Sequence, residues 1–504
     1  MSLTTDQNKL FRSDAQHRQE AIRLARAEAL QNVGNPIQIP SKPLRVVVKQ
    51  SKGKEPDAFI AESGWILRRV GLQSGKTKQL FKGHCGPVTS LDFYTTRTSK
   101  RELLISGSWD KSFKVWDLQT KTAMSTTIAH TDFIKTLLVI PELDVLVTGS
   151  SDKDLRIWDL STLDSFDFSS LASSATASSS STTTNELSDA PVESKKTGSG
   201  GAAPPAAVSQ NPLPLLTSLK SHTRPIERLA YFLISTNSTE GSNANKTGKF
   251  GLVSTDSMGV LKIWELGRRI AEDGKISMQG AEKCSVRYHE LAIYDLVVSA
   301  ENGEIWTASA DNSILLSTFS PSDPSSDPIP VLRIPHPTQT RSLLPLHLDY
   351  PNVRYLLTTT ITPEELIRVW DLDSEELEPD AKREIRREWK GLPATTSVSN
   401  GLGAGGNEHL LPGSVREIEG HTNDVVSLSS YVVENGETGK KEIWILSAGL
   451  DGTLRRWIWL EMLEKKREKI VLIETTPQEG DEEKKESLLT EEEERELEEL
   501  MMDD

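Results

Sequence analysis

His84, Ser106 and Asp110 lie within one short stretch of chain. A histidine, a hydroxyl and a carboxylate are the parts of a nucleophilic relay, in which the imidazole takes the hydroxyl proton and the carboxylate orients the ring. The same residue types recur as His130, Thr148 and Asp152, and again as His421, Ser447 and Asp451. Six residues after each aspartate stands a tryptophan: Trp116, Trp158 and Trp457. A nucleophilic site needs one such set and has no use for an indole N–H. Three copies, each with its own indole donor, fit a buried network that satisfies polar groups inside strand-rich units. Recurrence predicts architecture rather than chemistry.

The elements around these residues read as strands. Leu103 to Ser108 and Ser112 to Leu118 are apolar, β-branched and aromatic runs around a short polar turn, the pattern of an antiparallel hairpin. Leu146 to Asp152 followed by Leu155 to Leu160 repeats it, and a period of roughly forty residues is the mark of a solenoid or propeller. Arg45 to Lys49, Ala58 to Ala61, Trp65 to Val70 and Thr77 to Phe81 give a first unit of four short strands. Later units open at His84, His130, His222, His289, His336 and His421, making seven. The last is expected to take its outer strand from Ile470 to Ile473, with Ile37 to Ile39 as the alternative.

Gly83-His84 with Trp116-Asp117, Ala129-His130 with Trp158-Asp159, and Gly420-His421 with Trp457 resemble the WD40 repeats of the β-propeller family. Ser221-His222 with Trp264-Glu265 and His336 with Trp370-Asp371 are weaker carriers. The resemblance runs from about residue 44 to 473 and implies an all-β, seven-bladed β-propeller. It also implies that His84, Ser106, Asp110 and Trp116 form one structural tetrad. His130, Thr148, Asp152 and Trp158 form a second, and His421, Ser447, Asp451 and Trp457 a third. Met258 stands at the aspartate position of the fourth unit, Ser317 at the tryptophan position of the fifth, and Glu364 near the aspartate position of the sixth.

Functionally, the resemblance implies a rigid, non-enzymatic platform that binds protein partners on one end of the ring, the top face. By analogy with G-protein β subunits, the rim there includes Pro87, Thr89, Phe133, Lys135, Glu227, Tyr294, Arg341, Asp424 and Val426. Trp109 and Leu450, in hairpin turns, join them. Trp109 is the chief candidate, because a large amphipathic aromatic on a turn is costly to leave wet.

The rest of the chain bounds this reading. It has 504 residues and a formal charge of −15. Residues 479–504 hold 14 acidic and 3 basic residues, so −11 lies there and the remainder carries −4. General affinity for nucleic-acid phosphates is therefore not expected. Walker, GxSxG and HExxH motifs are absent, and Cys85 and Cys284 stand apart without metal-ligand spacing. No enzyme activity, cofactor or metal is expected. The two cysteines suit a reducing compartment, and no signal-peptide-like or membrane-spanning run occurs, so the expected location is cytoplasmic or nuclear.

The expected organisation is an N-terminal helix and linker over 1–43, the propeller over 44–474, and an acidic helical tail over 475–504. A Ser/Thr/Ala/Gly-rich insertion at 161–212 is predicted to be disordered, and a polar insertion lies at 374–412. The competing function, substrate receptor of a cullin-type ubiquitin ligase, meets two objections. No F-box-like segment precedes the repeats. Trp116-Asp117 and Trp158-Asp159 continue to Leu-Gln and Leu-Ser rather than to the arginine of the family's adaptor-binding box.

Overall fold

The computed structural model describes residues 24–51, 54–165, 210–234, 249–270, 276–362, 364–374, 414–434 and 441–464. One compact unit, Ala27–Arg467, contains every sheet; the other, 1–26 with 468–504, contributes only residues 24–26 to the described chain. The acidic tail, Ile470 to Ile473, most of the 161–212 insertion and nearly all of the 374–412 insertion lie outside the described residues.

The chain forms seven four-stranded antiparallel sheets. Sheet one comprises Pro43–Lys49, Asp57–Glu62, Ile66–Gly71 and Thr77–Lys82. Sheet two comprises Val88–Thr95, Glu102–Ser108, Ser112–Asp117 and Ala123–Ile128. Sheets three to seven start at Ile134–Ile140, Ile226–Leu233, Ile293–Ser299, Leu343–Pro345 and Val425–Glu434. These first strands adjoin in order, and that of sheet seven adjoins that of sheet one. The result is a closed seven-bladed β-propeller.

The burial pattern explains the ring. Strands inside a blade are covered on both faces, so Val145–Ser150 and Phe250–Asp256 are buried along their whole length instead of alternating. Seven separate apolar clusters fill the spaces between neighbouring sheets. Phe59, Phe81, Leu104 and Trp116, for example, join sheets one and two. No blade buries its faces alone, which is the physical reason that repeats of this kind close on one another.

Closure uses the N-terminal segment. Ile37–Gln38 is the outer strand of sheet seven, with Ile37 opposite Leu454 and Gln38 opposite Thr453. The propeller therefore begins before residue 44, and the alternative pairing is the one adopted. The edges of the first insertion are also ordered, unlike the expectation of disorder over all of 161–212. Ser161–Ser165 is a 3-10 turn, and Gln210 exchanges two backbone hydrogen bonds with Thr126 on the outer strand of sheet two. No helix among the described residues is long and apolar enough to cross a membrane.

Candidate functional site

In sheet two, His84 Nδ1 lies 2.8 Å from Asp110, and His84 Nε2 lies 2.7 Å from the Ser106 hydroxyl. Trp116 Nε1 donates to that hydroxyl at 2.9 Å. An indole N–H can only donate, so the hydroxyl oxygen accepts it and gives its own hydrogen to Nε2. Nδ1 then keeps the ring proton and donates it to the carboxylate. This directional chain leaves the serine hydroxyl fully engaged and its side chain buried. Sheet three repeats it with His130, Thr148, Asp152 and Trp158 at 2.8–3.0 Å. Sheet seven does so with His421, Ser447, Asp451 and Trp457 at 2.8–3.1 Å. Each oxygen is tied inside a blade, with no approach for a substrate carbonyl.

The electrostatics follow from burial and partners. Burial alone would raise the Asp451 carboxyl, but the His421 ring, the Thr453 hydroxyl and the Thr422 N–H hold it down at about 2. Asp110 and Asp152 are depressed in the same way. Burial lowers the His84 and His421 rings in spite of their carboxylate partners.

The irregular blades solve the same problem differently. In sheet four the carboxylate is Asp256, 3.1 Å from His222, and Met258 is not a substitute for it. Asp256 ends the second strand, two residues ahead of the turn position that Met258 occupies, and its carboxylate still reaches the ring. Ser254 and Trp264 complete that set at 2.7 and 2.8 Å. Sheet five keeps His289, Thr307 and Asp311, while Ser317 supplies no indole. In sheet six Glu364 does not meet the histidine; it pairs with Arg368 at 2.7 Å. His336 Nδ1 donates to the Thr338 carbonyl instead, at 2.7 Å. Sheet one has no histidine and buries the Glu62–Arg68 ion pair, 2.6 Å.

His336 is the histidine whose titration is easiest to follow. Burial, reinforced by the Arg368 charge, pushes it down to about 3. Unfolded, it titrates near 6.5. Its folded form therefore resists a proton that the unfolded chain takes up, and stability falls as pH drops from about 6.5 toward 3. We expect His336→Gln to flatten this limb by up to about 1.4 kcal/mol per pH unit. Urea unfolding measured across that pH range checks it; parallel limbs for both proteins would refute the assignment.

The centre of the ring is crossed by charge. Arg45 of sheet one reaches Asp295 of sheet five at 3.4 Å, and Asp295 also accepts from Ser342 and the Leu343 N–H. Among the described residues no group of three or more His, Cys, Asp or Glu side chains is arranged to hold a metal ion.

The rim repeats one backbone bond within successive blades. The N–H just after the second strand donates to the loop preceding the first strand, as in Trp109 to Pro87, Ser151 to Phe133, Ala310 to Ala292 and Leu450 to Asp424. Hairpin turns and inter-sheet loops are thus clamped together on one face. On it the candidate residues meet in pairs across neighbouring sheets. Lys135 and Glu227 form an ion pair at 2.5 Å, Arg341 lies 4.0 Å over the Tyr294 ring, and Asp424 accepts from Thr362. Trp109 stacks on Phe133 with ring centroids 5.1 Å apart. That pair alone among them keeps much apolar surface in water, at 43% and 41% exposure. Leu450 is half-buried.

One exposed aromatic escaped the sequence reading. Trp65 occupies the hairpin turn of sheet one and is 45% exposed. Sheet one lacks the repeat signature, so the position had no register; the Gly64-Trp65 turn after an apolar run was the available signal.

Residues 75–117, 122–159 and 413–457 each match the family described as WD domain, G-beta repeat. The chain is also 34% identical, over 113 residues, to an uncharacterised WD repeat-containing protein of Schizosaccharomyces pombe; the match covers 22% of this chain and 31% of that protein. It is 40% identical over 53 residues to the periodic tryptophan protein 2 homolog of the same organism, covering 10% of this chain and 6% of that protein. Matched stretches thus span about a third of the first relative and a small fraction of the second. Proteins with such repeats are typically non-enzymatic interaction scaffolds.

Proposed function

The chain carries WD40 repeats on a seven-bladed propeller, and from that premise we propose that it is a non-enzymatic scaffold docking partner proteins or peptides on the face that bears Trp109. The observation that carries this reading is the Trp109–Phe133 stack. Both rings stay about two-fifths exposed on a rim where Lys135, Glu227, Tyr294, Arg341 and Asp424 are already paired. A wet aromatic pair on a rigid turn is the kind of surface at which binding energy concentrates. The histidine–hydroxyl–carboxylate sets support the non-enzymatic part, since each is consumed by its own blade.

Affinity capture with the tagged full chain, read by mass spectrometry, tests it. Trp109→Ala should weaken partner binding about thirtyfold or more, as for an aromatic hot spot. Its urea midpoint should barely move, because an exposed side chain contributes little to folding. An unchanged partner set in the folded variant would sink the proposal. Recovery of a cullin or its adaptor with the wild-type chain would favour the ubiquitin-ligase receptor instead.

A further inference from the structure

In the hairpin turn that leads into the third strand, one residue has left-handed φ in all seven sheets. Trp65, Lys111, Lys153, Gly259, Asn312 and Gly452 are among them, at 61–77°. Glycine and asparagine adopt this conformation readily, whereas a bulky aromatic there is an outlier. Trp65 nonetheless holds it at φ 66°, and has no ring or cation partner among the described residues. Nearly half of its surface lies in water.

The charge on this face is divided. On the turns and loops of sheets one to four, Lys42, Lys111, Lys153 and Arg224 are all exposed, and none is in an ion pair among the described residues. Among the described residues at the equivalent positions of sheets five to seven the sole cation is Arg341, which is held on Tyr294. Glu290, Glu364 and Asp424 stand there instead. Four exposed cations and three exposed aromatics thus share this half of the face, in a body that carries −4 outside residues 479–504.

We infer that the half of this face formed by sheets one to four takes an acidic segment of a partner protein. An apolar side chain of that segment seats on Trp65 or the Trp109–Phe133 stack, and its carboxylates face Lys42, Lys111, Lys153 and Arg224. This deepens, and rests on, the docking-face reading above. The Asp132 carboxylate, part-exposed in the entry loop of sheet three, stands on the same half of the face and would repel a continuous phosphate backbone. A peptide presents carboxylates at intervals, with N–H donors between them, and suits the mixture.

The test uses the full chain and fluorescently labelled peptides with Asp and Glu around one Phe or Leu. Their Asn/Gln counterparts and oligo-dT serve as comparators. The acidic peptides should bind, with the amide versions at least about tenfold weaker. The double variant Lys111→Glu/Lys153→Glu should suffer a similar loss with an unchanged urea midpoint, since glutamate already holds this left-handed position at Glu365. Trp65→Gly should lose affinity while its midpoint holds or rises. Equal binding of acidic and amide peptides, or tighter binding of oligo-dT, would overturn the inference. So would a lowered midpoint for Trp65→Gly, which would make Trp65 a packing residue. If no acidic peptide binds while Trp109→Ala still strips captured partners, the docking face stands and the acidic occupant falls.

Discussion

Replacing Ser106 with alanine should cost roughly 2–6 kcal/mol of stability, though it removes a single oxygen. The hydroxyl accepts from Trp116 Nε1 at 2.9 Å and donates to His84 Nε2 at 2.7 Å, and its side chain is fully buried. Alanine leaves both partners without a bond in a site closed to water, and each orphaned group costs about 1–3 kcal/mol. Sheet five supplies the comparison. Thr307 meets His289 at 2.8 Å, but Ser317 stands where the indole would be. Thr307→Val therefore orphans one ring nitrogen and should cost about half as much. Urea midpoints of the two variants decide it. Equal losses would mean that the indole bond contributes nothing.

These comparisons also mark what the residues disclose without coordinates. Three sets were legible because type and spacing coincide: a histidine opening the unit, a hydroxyl on the second strand, and an aspartate six residues before a tryptophan. The fourth set was hidden because its carboxylate, Asp256, comes from the end of the strand and not from the turn, and a fixed-spacing reading lands on Met258. In sheet six the partner of His336 is a backbone carbonyl, which no side-chain pattern encodes. The Trp109 turn was legible from its hairpin. Its stack on Phe133 was not, because the contact joins a turn of one sheet to the entry loop of the next. Ring closure was legible only as an alternative pairing: a two-residue strand next to prolines gives almost no periodic signal, and its partner lies more than four hundred residues away.

That closing strand carries the second large effect, and Gly34 is its most sensitive point. The segment is held to sheet seven by Arg456 N–H to the Gly34 carbonyl at 2.7 Å and Ile39 N–H to the Gly452 carbonyl at 2.7 Å. Arg455 donates to the Leu30 carbonyl at 2.9 Å and also to that of Val33. Gly34 has φ 69°, and a Cβ there would lie 2.6–2.9 Å from three atoms of the Trp457 ring. Nε1 of that ring is committed to Ser447, and Gly420 lies close against the same ring atoms, so the ring has little freedom to shift. Gly34→Ala should therefore cost about 1–2 kcal/mol for the left-handed backbone and a further 1–3 kcal/mol or so for overpacking. Gly75 isolates the first part: its φ is 67°, but the nearest atom to a Cβ is 3.7 Å away. Gly75→Ala should lose only about 1–2 kcal/mol. In Gly34→Ala the cluster joining sheets seven and one, with Ile37, Val46, Tyr431 and Leu454, should open before the rest of the ring. Hydrogen exchange would then rise first in those two sheets. Equal midpoint losses for the two alanine variants, or exchange rising evenly around all seven blades, would show that the ring is not held shut at this seam.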